Sequence, residues 1–190
     1  MAEQSEVPDS VTPEQFFEQL LPMGFTAQAS ASGTPPPDFT IQFCLTGDGG
    51  GEWHAAVESG AMQVRKGRAD ANLTVTLGVD DWRDAALARN GATLGIILPQ
   101  SRPDRPDNSA AVKELKGTMA FELERPELAP FRFEMCFNSA GAPKATLHMA
   151  LTDYVDMQEG RQDGQQLFLQ GRIRVEGDML FLMQVASLDA

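Results

Sequence analysis

The sequence is poor in cysteine, histidine and tyrosine. Its 190 residues include two cysteines, two histidines and one tyrosine. Cys44 and Cys136 form no Cys-x-x-Cys pair, which indicates a reducing compartment and no structural metal. No His-Glu-x-x-His or nucleophile-elbow motif occurs. We therefore expect no cofactor, no metal ion and no catalytic residue, and we lean against an enzyme.

Basic residues and long apolar runs are also scarce. Lysine and arginine number 15 against 27 aspartates and glutamates, a net charge of −12. This charge repels phosphates, which excludes a nucleic-acid partner. No apolar run reaches the roughly 18 residues of a membrane span, so no integral membrane association is expected. Neither a signal peptide at the start nor a peroxisomal address at the end is recognisable, which favours the cytoplasm.

What remains is typical of one globular domain. Hydrophobic residues make up 42% of the chain and charged residues 22%. We expect a flexible amino terminus over residues 1–11 and a single domain over residues 12–190. Thr12 and Gln15 form a capping box that starts a helix, and Pro22 is expected to end it.

Alternating apolar and polar residues predict strands from residue 39 onward. Phe39, Ile41, Phe43 and Leu45 share one face of the first strand. Further alternating runs reach residue 77, where an acidic pair precedes a helix that begins near Trp82. Two more runs, at residues 119–123 and 131–137, predict additional strands.

One stretch of the sequence is repeated. Residues 71–89 are echoed by residues 145–161, which predicts a second strand followed by a helix. We interpret this as a partial internal duplication that adds about three strands to the sheet; chance similarity between two amphipathic units is the alternative. The alignment pairs Leu73 with Leu147, Leu77 with Leu151, Trp82 with Tyr154, and Asp84 with Asp156.

The carboxy-terminal stretch is the most informative part of the chain. Ile173 and Val175 share one face of a strand, and Asp178 is placed to cap a helix from Met179 to about Leu188. Only two residues of this helix are polar. A helix that is apolar nearly all round must be covered on more than one side. We expect the sheet on one side and a partner chain or an apolar ligand on the other.

Residues 167–183 resemble the carboxy-terminal signature of the sterol carrier protein type 2 family, the nonspecific lipid-transfer proteins. The shared pattern is an aromatic residue, Gln-Gly, an alternating basic strand, Gly-Asp and a Met-rich helix. The resemblance implies an α+β fold: a curved, mainly antiparallel sheet, here of about seven to eight strands, covered by helices on one face, with an apolar tunnel that binds lipids. Relative to that family, extra strands are inserted at about residues 92–150.

The resemblance also implies a site. Residues of the closing segment match family positions near the tunnel mouth, and two aromatic residues stand at matching helix starts. The strand at residues 131–137 adds apolar side chains that suit an adaptable pocket. The expected ligand-binding residues are Trp82, Phe133, Met135, Tyr154, Phe168, Gln170, Met179, Leu182 and Met183.

Three functions remain open from the sequence. The first is a carrier that holds a sterol, fatty acyl or isoprenoid lipid by apolar burial. The second is an enzyme or biosynthetic accessory protein that acts on an apolar intermediate in the same pocket. The third is a structural dimerisation module, in which the apolar helix packs on its twin and the protein is a homodimer.

Overall fold

The computed structural model describes residues 7–32, 35–98 and 108–188, and an eight-stranded sheet forms its centre. The strand order is β3-β2-β1-β4-β6-β5-β7-β8, in which only the β1–β4 and β5–β7 pairs are parallel. The expected α+β fold with a mainly antiparallel sheet is confirmed. The strands are β1 (Phe39–Thr46), β2 (Gly51–Glu58), β3 (Ala61–Lys66), β4 (Leu73–Gly78), β5 (Gly117–Glu124), β6 (Phe131–Phe137), β7 (Lys144–Ala150) and β8 (Arg174–Gly177).

Helices cover one face of this sheet. Their buried side chains join the inward-facing strand residues in one hydrophobic core, whereas threonine, glutamate and lysine side chains occupy the other face. The helices are α1 (Pro13–Gln15), a π-helical stretch (Phe16–Leu20), α2 (Leu21–Ser32), α3 (Val79–Ala86), a 3-10 turn (Leu94–Ile96), α4 (Ser109–Glu114), α5 (Leu151–Gln158), α6 (Gly164–Leu169) and α7 (Met179–Ala186).

The first helical region corrects one expectation. The capping box is present, since Thr12 accepts from the N–H of Gln15 and the Gln15 side chain accepts from the N–H of Thr12. However, Pro22 does not end the helix, which continues to Ser32. The π-helical stretch immediately before Pro22 gives the reason, because such a turn changes the hydrogen-bond pattern where a proline cannot donate. Of the amino-terminal segment, residues 1–6 lie outside the described part, and Val11 is buried.

Two parts of the sheet have the same architecture, which we name the first repeat (β1, β2, β4, α3) and the second repeat (β5, β6, β7, α5). In each, the first strand pairs antiparallel with the second and parallel with the third. The third strand then passes directly into the helix, after Gly78 in the first repeat and Ala150 in the second. The two repeats are therefore alike in pairing as well as in sequence.

The structural alignment of the repeats differs from the sequence alignment by two residues in the strand. Trp82 matches Tyr154 and Asp84 matches Asp156, as expected. However, Leu77 lies in β4, whereas Leu151 is the first residue of α5 and corresponds to Val79. The pairings of Leu77 with Leu151 and of Leu73 with Leu147 are therefore wrong. Leucine occurs on the buried side of both strands and helices. Matching identical residues therefore paired a strand position with a helix position.

Strand β8 stands beside the second repeat as β6 stands beside the first. Thr76 of β4 faces Glu134 of β6, and the matching His148 of β7 faces Arg174 of β8. Strand β6 belongs to the second repeat and also pairs with β4, the outermost strand of the first repeat on that side. The consequence is one continuous sheet.

Candidate apolar ligand site

Helix α7 is held to the sheet by a single fully buried side chain. Asp178 caps the helix, because its carboxylate accepts a hydrogen bond from the N–H of Phe181 at 2.9 Å. The Phe181 ring lies 6.2 Å from the ring of Phe137, centroid to centroid. Gly117 gives it room: a Cβ atom at that position would lie 2.6 Å from the ring. The predicted cap and helix are confirmed.

The outer surface of α7 is apolar and exposed. Leu180 is 68% exposed and Met183 64%, and Met179 is also exposed. Leu182 and Val185 are half-buried against the core. The helix is therefore covered on one side only, whereas its sequence predicts cover on more than one side.

Helix α6 carries a second exposed apolar pair. Its start is fixed by Asp163, which accepts from the N–H of Gln166 at 3.0 Å, and Leu167 anchors it in the core. Phe168 is exposed, and the neighbouring Leu169 is 84% exposed. Gln170 ends the helix at the surface.

Phe133 and Tyr154 meet in an aromatic cluster beneath the helices. The rings of Phe121 and Phe133 stack with centroids 4.3 Å apart, and Tyr154 lies edge-on to them at 5.6 and 6.2 Å. Met135 follows on the same face of β6 and is half-buried. The structure therefore brings these expected ligand-binding residues together in the second repeat.

Trp82 lies in the first repeat, apart from this cluster. Its ring packs against Phe16 and Phe17 at 5.6 and 6.3 Å and is fully buried. Its indole N–H has no hydrogen-bond partner among the described residues. A buried donor without a partner costs about 1–3 kcal/mol.

Carboxylates of α3 and α5 are engaged in ion pairs. Burial raises the pKa of Asp81, against the opposing effect of the nearby Arg125 guanidinium. A hydrogen bond from Arg161 lowers the pKa of Asp156. Asp153 is buried and paired with Arg172. These carboxylates therefore serve the structure.

Comparison with known protein families gives a match in the carboxy-terminal part of the chain. Residues 97–188 match the family model described as the SCP-2 sterol transfer family. This match covers 92 of the 190 residues, just under half of the chain. We call residues 97–188 the SCP-2 segment. Of the expected ligand-binding residues, Trp82 alone lies outside it. This match supports a role in lipid or sterol binding or transfer.

Two solved structures are similar to the chain. The solution structure of the sterol carrier protein domain 2 of Helicoverpa armigera shares 23% identity over 43% of this chain and 72% of its own, with a TM-score of 0.35. Sterol Carrier Protein 2 from Yarrowia lipolytica, in its apo form, shares 14% identity over 95% of this chain and 98% of its own, with a TM-score of 0.29. No curated protein sequence matches.

Two open concavities lie away from α7. One, of about 380 Å³, lies on the uncovered face of the sheet across β4, β5, β6 and β7. Phe133 borders it, although the ring of Phe133 packs on the other face. The second, of about 530 Å³, lies between α2 and the β2–β3 turn and includes none of the expected ligand-binding residues.

Sequence reasoning missed two residues of the SCP-2 segment that organise the site. Phe181 anchors α7, and Gly117 admits its ring with a φ of 138° that favours glycine. Phe181 is one apolar residue among many in the helix, so no periodicity marks it. Its place three residues after the Asp178 cap was the available signal.

The described residues contain neither a metal-ligand cluster nor a membrane-spanning helix. Among the described residues, no three His, Cys, Asp or Glu side chains are grouped so that they could hold a metal ion. No helix in that part of the chain is both long and apolar enough to cross a membrane.

Proposed function

We propose that the chain is a carrier that holds one apolar small molecule, such as a sterol, a fatty acyl chain or an isoprenoid, between the sheet and α7. One observation carries this proposal. Seven large apolar side chains are exposed in the described residues, and five of them lie on α6 and α7, inside the SCP-2 segment. The five are Phe168, Leu169, Met179, Leu180 and Met183.

The attachment of α7 suits a movable cover. Phe181 is its one fully buried side chain, whereas Leu182 and Val185 are half-buried beside it. A small displacement of the helix would open apolar surface beneath it while the Asp178 cap keeps its start in place. Burying a ligand there contributes about 25 cal/mol for each Å² of apolar surface removed from water.

The chemistry of the surrounding side chains indicates non-covalent binding. Gln170 and Gln184 are exposed amides at the ends of the apolar surface and can orient the polar head of a lipid. The net charge of −12 disfavours docking on anionic membranes, so transfer to a protein partner is the route we favour. The free thiols of Cys44 and Cys136 support the cytoplasm as the location.

The alternatives have less support. An enzyme would need a carboxylate with a raised pKa inside the apolar site. Asp81 has a raised pKa, but it lies in α3 of the first repeat and is paired with Arg125. The exposed face of α7 is compatible with a homodimer as well as with a ligand, and the two can coexist.

Native mass spectrometry of the purified chain, followed by organic extraction, tests the carrier directly. We expect an apolar molecule bound at close to one per chain, because burying its apolar surface between the sheet and α7 stabilises the complex. A ligand-free chain that also fails to bind a fluorescent fatty acid would contradict the proposal.

Tryptophan substitutions test the location of the site. We expect Leu182→Trp and Met183→Trp to weaken binding of the fluorescent fatty acid by about tenfold, since each adds a bulky ring beside the ligand. Met23→Trp is the matched control, because Met23 is 67% exposed on α2 and Met183 is 64% exposed on α7. Equal affinity in all three variants would place the ligand elsewhere.

A further inference from the structure

The outer edge of β8 is an unpaired strand edge. β8 is the last strand of the sheet, and within residues 7–32, 35–98 and 108–188 no strand pairs with its outer side. The equivalent strand β6 pairs with β4 on one side and β5 on the other. The same chain therefore shows that a strand in this position can accept a second neighbour.

The hydrogen-bond pattern determines which residues of β8 are available. Gly177 faces Ala145, and the N–H of Asp178 donates to the carbonyl of Lys144 at 2.9 Å. Bonding directions alternate along an antiparallel strand. Residues 174 and 176 therefore bond to β7, whereas Val175 and Gly177 direct their backbone N–H and C=O groups to the outer edge.

The side-chain charges select one register for self-pairing. Two antiparallel copies of β8 can be centred on Arg174, Val175 or Glu176 and still match this hydrogen-bond alternation. Centring on Arg174 or on Glu176 would oppose like charges, which is destabilising. Centring on Val175 places Arg174 opposite Glu176 of the second copy, twice by symmetry. Within one chain Arg174 and Glu176 are 3.6 Å apart as an ion pair, but they are 69% and 60% exposed, so each can also reach the second copy.

We propose that two copies of the chain associate through β8, with the two-fold axis at Val175. The two eight-stranded sheets then become continuous. Opposed residues of an antiparallel pair point to the same face, so the helices of both copies lie on one side. Helix α7 begins two residues after β8, and its exposed Met179 and Leu180 enlarge the contact beyond the four-residue strand. This inference does not depend on ligand binding.

Sedimentation velocity of the full chain over a concentration series tests the proposal. We expect the unmodified chain to approach twice 20.6 kDa. Arg174→Glu and Glu176→Arg should each weaken the dimer by about tenfold or more, because each creates two like-charge pairs. The double variant Arg174→Glu/Glu176→Arg should restore it. Arg65→Glu, on the opposite sheet edge, is the control and should leave the mass unchanged.

Several results would overturn the proposal. These are a monomer at every concentration, a dimer that tolerates both single reversals, or a double variant that remains dissociated. If a reversal fails to fold, as judged by circular dichroism, Val175→Pro replaces it. Proline is tolerated at strand edges and removes the central N–H. A Val175→Pro chain that is folded and still dimeric would overturn the proposed contact.

Discussion

Phe181→Ala is expected to lower the free energy of unfolding by about 3–5 kcal/mol, the usual cost of truncating a buried phenylalanine. Phe181 is the one fully buried residue of α7, and its ring packs on Phe137. Urea unfolding measures the loss, and hydrogen exchange locates it. We expect the amides of α7 to lose protection while those of the central strands keep theirs.

Met183→Ala is the matched control on the same helix. Because Met183 is largely exposed, its truncation should change stability by no more than about 0.5 kcal/mol. Gly117→Ala should act like Phe181→Ala, since the new Cβ atom would meet the Phe181 ring and the Pro143 carbonyl at 2.6 Å. Similar losses for Phe181→Ala and Met183→Ala would contradict the assignment of Phe181 as the anchor.

Much of the fold was predictable because it is encoded locally. Alternating residues in β1, the capping box at Thr12 and the cap at Asp178 each depend on neighbours within a few positions. Pro22 misled the prediction, because a π-helical stretch before it lets the helix continue. The repeat was recognised, but its strands were misaligned. Gly78 and Ala150 mark the same strand–helix junction, yet they are different residues, so the sequence does not align them.

The site was predictable in composition and less so in geometry. The sequence predicted that α7 needs a second cover; in the structure its outer side is exposed, so the second cover stays a prediction. It could not tell which face meets the sheet, since apolar residues surround the helix. Gly117 is distant in sequence from Phe181, so their contact required the tertiary structure. The ligand-binding roles of the nine residues stay predictions.

Arg125→Met should be nearly as damaging as Phe181→Ala, although it lies far from α7 in sequence. Arg125 is only 8% exposed, and its guanidinium bonds Asp84 at 2.7 Å and Asp81 at 3.0 Å. It thereby joins the β5–β6 connection to α3 of the first repeat. Removing one partner of a buried ion pair costs about 3–5 kcal/mol. For a chain of this size, we expect the melting temperature to fall by on the order of 10 °C.

Arg132→Met provides the control, because its ion pair with Glu122 is exposed and should contribute no more than about 1 kcal/mol. The pH dependence gives an independent test. Burial raises the pKa of Asp81 above its ordinary value of about 3.9. A carboxyl group with a raised pKa contributes stability at low pH that is lost as the pH rises through that range. Without Arg125 the pKa of Asp81 rises further, so the deficit of Arg125→Met should be largest at neutral pH and shrink near pH 4. Melting curves at both pH values measure this, and a deficit that is the same at neutral pH and near pH 4 would show that Arg125 acts by packing and not by its charge.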